Sequence, residues 1–245
     1  RLKLPAQPIP LRASLSDIEK CLFDDGINRF YLEKVARTCY RPAITRFLKM
    51  LEGGFKMSIG FSTSFLIQAE QWMPELLVSF QELVSHPNVE LVCVEPYHSF
   101  LFFFDIELFV ERMKWAQKHL KEVFGKKPHF TDTTEMCMSN DVYFALEKAG
   151  FKGAVMDGRE WVMEWRDPTH LYRYGNKNLY LLTRHYELTD DIGYRFSNRN
   201  WSGWPLTAGS YAEWLKEARG DFVFVGCDFE SFGEHHREES GIFYF

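Results

Sequence analysis

Short runs of β-branched and aromatic residues alternate along the chain with longer stretches in which apolar positions recur every three or four residues. The runs near 57–61, 89–94, 129–133, 153–157, 179–183 and 222–227 read as strands. Between them Ile106, Phe109, Val110, Met113, Ala116, Leu120 and Phe124 share one helical face, and Gly125 closes that helix. A second helix begins with Ser139 or Asn140 as its cap, carries Val142, Ala145, Leu146 and Ala149 as its apolar stripe, and stops at Gly150. Tyr211, Leu215 and Ala218 repeat the pattern before Gly220. The first twenty residues, with Pro5, Pro8 and Pro10, read as irregular chain feeding a helix that runs from about Ile27 and bends at Pro42.

Strand and helix in steady alternation predict an α/β fold of parallel strands with crossover helices. No glycine-rich phosphate loop follows any strand, so a (β/α) barrel is preferred over an open nucleotide-binding sheet. The stretch 157–178 is long, polar and rich in Trp and Arg, the kind of loop that builds a site.

With 245 residues and 46% hydrophobic content, the chain 1–245 is expected to form a single barrel-sized domain. Twenty-nine Lys and Arg against 34 Asp and Glu give a net charge of −5 with no basic block, which argues against a nucleic-acid partner. Five scattered cysteines without a C-x-x-C pair predict neither a disulfide framework nor a zinc cluster; they fit a reducing, cytoplasmic compartment. The most apolar segment, Phe100 to Val110, is broken by Asp105 and Glu107 and is too short to span a membrane.

In a parallel barrel, side chains at the carboxyl ends of the strands converge on one mouth, and His98, Glu135, Asp157, Arg184 and Asp228 all fall there. Two carboxyl groups in one cleft can cleave a glycosidic bond, one attacking the sugar cation and the other protonating the leaving oxygen. Glu135 and Asp228 are the chosen pair. Asp228 ends the apolar run Phe222 to Cys227, where it serves either this chemistry or a helix cap; Glu135 is either catalytic or a first-turn glutamate favoured by the helix dipole.

The residues around these carboxyl groups resemble a known family. Thr134-Glu135-Met136-Cys137, Leu188-Thr189-Asp190-Asp191-Ile192, Trp204-Pro205-Leu206-Thr207-Ala208 and Asp228-Phe229-Glu230-Ser231-Phe232-Gly233-Glu234-His235 are, in this order, similar to the motifs of glycoside hydrolase family 57, in its α-amylase-like branch. The resemblance implies a (β/α)7 barrel and a retaining hydrolase of α-1,4-glucans such as starch, glycogen or maltodextrins, with no metal or other cofactor in catalysis. It implies Glu135 as nucleophile and Asp228 as general acid/base. A 4-α-glucanotransferase or branching enzyme is the alternative within the family, and an inactive carbohydrate-binding relative is the alternative outside catalysis. A metal-dependent deacetylase would need an Asp and two His at a strand end, and no such set is found.

The family's first motif, His-Gln-Pro on the first strand, has no clean counterpart, since Ala6-Gln7-Pro8 lacks the histidine. Six strands against seven, and a stop soon after Gly241-Ile242-Phe243, make the expected fold an incomplete barrel, truncated at both ends. Further substrate-binding candidates are His98, which is otherwise a satisfied buried histidine, and His235 in the last motif. Trp161, Trp165, Trp201 and Trp204 lie in or beside loops; at least half should pack in the core, and Trp161 and Trp201 are the first choices for stacking on glucose rings. Arg195 either clamps a carboxylate or pairs plainly with Asp190 or Asp191, with Thr189 expected as a helix cap.

Overall fold

The computed structural model describes residues 8–245. Pro5, Ala6 and Gln7, which belong to the opening stretch and to the segment compared with the family's first motif, lie outside the described residues. Five strands, β1 (Met57–Phe61), β2 (Val89–Val94), β3 (Phe130–Asp132), β4 (Gly153–Asp157) and β5 (Tyr180–Arg184), form one sheet in chain order. Every neighbouring pair is parallel. An order that never reverses is that of a barrel rather than of a doubly wound sheet, so the fold is α/β with an open arc of a barrel wall.

The elements form where local chemistry directs them. Ahead of the sheet run α1 (Leu15–Leu22), α2 (Asp25–Val35) and α3 (Arg41–Glu52). α1 corrects the expectation of irregular chain over the first twenty residues: Ser14 and Asp17 form a capping box, which starts a helix that buries none of its residues. The crossovers are α4 (Thr63–Trp72) and α5 (Pro74–Ser85) after β1, α6 (Ile106–Phe124) after β2 and α7 (Asn140–Ala149) after β3. Ser62, Asp105 and Ser139 accept the orphan N–H groups at the starts of α4, α6 and α7. Gly125 and Gly150 end α6 and α7 in the left-handed conformation.

Just before Pro42, where a bend is predicted, a π turn, Ala36–Tyr40, joins α2 to α3. Pro42 has no N–H to offer the Thr38 carbonyl four residues back, and the widened turn is closed instead by the Arg41 N–H on the carbonyl of Ala36.

The core lies between the sheet and its helices. Leu91 of β2, Phe80 and Leu83 of α5, Phe109 and Met113 of α6 and Leu146 of α7 are all fully buried there. β2 buries alternate residues, Val89, Leu91 and Cys93, against the helices and leaves Glu90, Val92 and Val94 half-buried on its other side. A smaller apolar cluster of Leu188, Ile192, Phe196, Leu206, Tyr211 and Ile242 gathers the chain after β5, including α9 (Tyr186–Asp190) through Leu188 and α10 (Ala208–Glu217) through Tyr211, whereas the short α8 (Glu160–Met163) lies between β4 and β5.

The sixth strand, expected at 222–227, is reduced to a single parallel bridge between Arg184 and Phe224. The free edge of β5 explains this. Tyr172, from the loop 158–178, exchanges backbone hydrogen bonds with Leu181 at 3.3 and 2.8 Å, and the N–H groups of Asp221 and Phe222 donate to Thr169. Leu181 on the edge of β5 and the N–H groups of Asp221 and Phe222 are therefore already paired, which leaves the bridge at Phe224 as the contact between the two segments.

Candidate active site

The carboxyl ends of β2, β3, β4 and β5 deliver Glu95, Asp132, Asp157 and Arg184 to one rim, and the turns beyond them add His98 and Glu135. The clearest contact is between the last two: His98 Nε2 lies 2.9 Å from Glu135 Oε1, with both side chains about two-thirds exposed. His98 is thus not a buried, satisfied histidine. Glu135 sits in a 3₁₀ turn, Thr134–Met136, five residues before α7 begins, so the first-turn helix-dipole role does not hold.

Both turns are strained. His98, Glu135 and Met136 have φ of 54°, 57° and 54°, a left-handed conformation that costs about 1–3 kcal/mol for each such residue. The surroundings hold them there. The Thr133 hydroxyl donates to the carbonyl of Cys137 at 2.6 Å, and the Thr134 hydroxyl donates to that of Ser99 at 2.7 Å.

Beneath this pair lies Asp132, one of whose oxygens, Oδ1, is buried without a partner. Burial pushes its carboxyl up to about 7, and the Glu135 charge adds to the rise; His98, Arg184 and the Thr133 N–H pull the other way. Arg184, itself buried, places Nη2 3.2 Å from Asp157 Oδ1 and Nη1 3.8 Å from Asp190, while its Nε has no partner. Gly158 is needed where β4 ends, because a Cβ there would lie 2.1 Å from the Arg184 carbonyl oxygen.

Asp228 begins a 3₁₀ turn, Phe229–Ser231, yet its side chain makes no capping hydrogen bond, and the residue is exposed. The segment leading to it passes close to the Glu135 turn: a Cβ on Gly226 would stand 4.0 Å from Met136 Cε. The residues just after Asp228 are held by the helical start of the chain. The Tyr40 hydroxyl donates to Glu230, Lys34 pairs with Glu234, the Thr38 hydroxyl donates to Glu234 at 3.0 Å, and the Cys39 thiol donates to the Phe229 carbonyl at 3.3 Å. The Thr38 carbonyl that Pro42 cannot engage points at Gly233, where a Cβ would lie 2.1 Å from it and where φ is +119°. The π turn and the glycine of the last motif are two halves of one fit.

The remaining candidates sit elsewhere. Trp161, on α8, is 76% exposed. Beside it a cleft of about 420 Å³ opens beyond β4 and β5, lined among others by Glu160, Asp167, His185 and Glu187; neither Glu135 nor Asp228 lines it. Trp201 packs against Trp214 in the smaller apolar cluster, with the Arg195 guanidinium 5.6 Å over its ring. Arg195 bonds Asp191 at 2.7 Å and the Glu187 carbonyl at 2.7 Å, so the plain ion pair is what it forms. Thr189 lies inside α9, whose cap is His185, which corrects the expected cap. His235 is exposed, whereas His236 is buried with Nδ1 2.8 Å from the Ser197 hydroxyl. Trp165 is exposed at 83%, and Trp204 at 43%.

Glu95 and Asp132 were not among the residues singled out by the sequence. Each stands at the carboxyl end of a strand, the same position that singled out Asp157 and Arg184. Among the described residues, no group of three or more His, Cys, Asp or Glu side chains is placed to hold a metal ion, and no helix is long and apolar enough to cross a membrane. All five cysteines are free thiols.

The family model of glycosyl hydrolase family 57 matches residues 14–245. The chain belongs to glycosyl hydrolase family 57. A curated relative from Methanocaldococcus jannaschii, named "Putative alpha-amylase", is 37% identical over 224 residues, which are 91% of this chain and 48% of that protein. The chain therefore spans about half the length of that relative. Among solved structures, the 4-alpha-glucanotransferase from Thermococcus litoralis is similar with a TM-score of 0.69 at 17% identity, covering 83% of this chain and 31% of that one. A family 57 branching enzyme from Thermococcus kodakaraensis is similar with a TM-score of 0.61 at 11% identity, over 87% and 62% of the two chains. At these identities the two structures speak for a shared fold. Membership of family 57 fits an arc of parallel strands whose ionisable residues gather at the carboxyl ends.

Proposed function

We propose that this family 57 chain carries the catalytic core of a retaining glycoside hydrolase that cleaves α-1,4-glucans, with Glu135 as nucleophile and Asp228 as general acid/base. The observation that carries this proposal is the family match over residues 14–245, whose span contains both carboxyl groups, Glu135 in the turn beyond β3 and Asp228 beyond the Arg184–Phe224 bridge. The two side chains also have suitable surroundings: Glu135 is exposed to an incoming sugar and oriented by His98, and Asp228 is exposed and uncommitted to any cap.

In the first step the Glu135 carboxylate bonds to the anomeric carbon while the glycosidic C–O bond breaks, and Asp228 gives its proton to the departing oxygen. In the second, water attacks the same carbon, Asp228 takes the water's proton, and the ester to Glu135 breaks. His98, by hydrogen bonding to Oε1, holds the Glu135 carboxylate for the attack.

A second reaction open to the family, transfer to a sugar hydroxyl in place of water, uses the same intermediate, and the structural similarity to a glucanotransferase and a branching enzyme favours keeping it in view. Product analysis on maltoheptaose separates the two. Shorter sugars alone mean hydrolysis; longer or branched products mean transfer. Binding of maltoheptaose in a calorimeter without any product would replace both by a carbohydrate-binding role. Trp161 and His235, both exposed, are proposed to line the glucan path.

A further inference from the structure

Glu95 is 2% exposed, lies directly after β2, and has no part in the mechanism above. Its Oε2 accepts the N–H of Tyr97 at 2.9 Å and that of Ser99 at 2.6 Å, while the N–H of His98 between them donates to the Glu95 carbonyl at 3.2 Å. The carboxylate thereby closes a tight turn on itself and keeps His98 at a φ of 54°. Two hydrogen bonds accepted by one buried oxygen oppose the relaxation of a strained residue.

From this turn, contact passes to the Glu135 turn in two places. The Thr134 hydroxyl donates to the Ser99 carbonyl at 2.7 Å, and His98 Nε2 meets Glu135 Oε1 at 2.9 Å. The connections close a ring through Glu95, Ser99, Thr134, Glu135 and His98. We propose that Glu95 is a positioning residue for the reaction, one that sets the His98 turn so that His98 and Thr134 together hold the Glu135 carboxylate in its strained, exposed position. This inference rests on the proposed function for its kinetic consequences; the mechanical linkage does not depend on it.

The test combines amide hydrogen exchange with a double-mutant cycle. Glu95→Ala is expected to speed exchange about tenfold or more at Tyr97 and Ser99 and also in the Thr134–Cys137 turn, which Glu95 does not touch. With maltoheptaose as substrate, kcat should fall roughly ten- to a hundredfold with KM changed by less than about twofold, and Glu95→Ala should add less than about threefold to a chain that already carries His98→Ala. Additive losses in the cycle, or faster exchange confined to residues 95–99, would overturn the proposal. Exchange needs no substrate, so failure to cleave maltoheptaose ends the proposed function while the linkage is still decided by exchange. Should Glu95→Ala not fold, Glu95→Gln keeps the volume and one neutral acceptor oxygen; it should give the same exchange pattern at smaller amplitude, and wild-type exchange in the Thr134–Cys137 turn would refute the linkage.

Discussion

Replacing Asp132 by Asn should change how the stability of the chain depends on pH. An ordinary aspartate titrates near 3.8, whereas burial beneath the Glu135 turn pushes Asp132 up to about 7. Below 3.8 the carboxyl is protonated in the folded and unfolded chain alike, and it neither adds nor removes stability. Between 3.8 and 7 the unfolded chain releases the proton and the folded chain keeps it, so stability falls as pH rises. Above 7 the folded chain also ionises, and the full cost of a buried charge is present. At about 1.4 kcal/mol for each pH unit between the two values, the ceiling on this cost is about 4 kcal/mol. An asparagine cannot ionise and is free of it. The assay is urea unfolding of both proteins from about pH 4 to about pH 8, tracking the difference in stability between them. The wild type should lose up to about 4 kcal/mol relative to Asp132→Asn across that range. The groups that face Asp132, namely His98, Arg184 and Glu135, are shared by the two proteins, so a pH-dependent difference reports the carboxyl and its coupling to them. A difference constant to within about 0.5 kcal/mol over the whole range would refute the reasoning.

Glu135→Gln should abolish turnover of maltodextrins and leave their binding largely intact, while Asp228→Asn should slow poor leaving groups more than activated aryl ones; parallel loss of binding in both variants would contradict the assigned roles. Glu234 is held below its usual range first by its hydrogen bond from Lys34. Glu234→Gln should therefore cost about 1 kcal/mol at neutral pH by denaturant unfolding, a loss that shrinks as pH falls below the ordinary glutamate value, because the wild-type pair is itself lost when the carboxylate protonates. Trp161 is 76% exposed, so Trp161→Ala should leave the melting temperature within about 2 °C and weaken maltoheptaose binding by roughly tenfold; unchanged affinity would remove it from the glucan path.

Much of the architecture was readable because it is written locally. The strands at 57–61, 89–94 and 153–157 and the helix 106–124 occur where the apolar spacing places them, since each carries its own boundary signals: Gly54 and Ser62, Pro87 and Pro96, Gly153 and Gly158, Asp105 and Gly125. Ser139 and Gly150 bracket α7 for the same reason. Where a bend at Pro42 is expected, the helical hydrogen bonding widens into a π turn, because a missing N–H is a property of one residue. The choice of His98 and Glu135 as site residues also came from position at strand ends, and the fold brings these two together.

Other features depended on partners distant along the chain. Residues 222–227 have a strand's composition, yet Tyr172 takes the edge of β5 at Leu181, and Thr169 accepts the N–H groups of Asp221 and Phe222. Trp201 and Arg195 looked free in a polar segment, and tertiary packing set them against Trp214 and Asp191. Periodicity and capping act over a turn or two of chain, so the amino-acid order alone determined those strands and helices that carry their own boundary signals, such as α6 and α7. Which edge stays open, which carboxyl is buried without a partner, and which histidine meets Glu135 are settled by the competition of remote groups for the same hydrogen bonds and the same exclusion of water, and only the assembled molecule decides that.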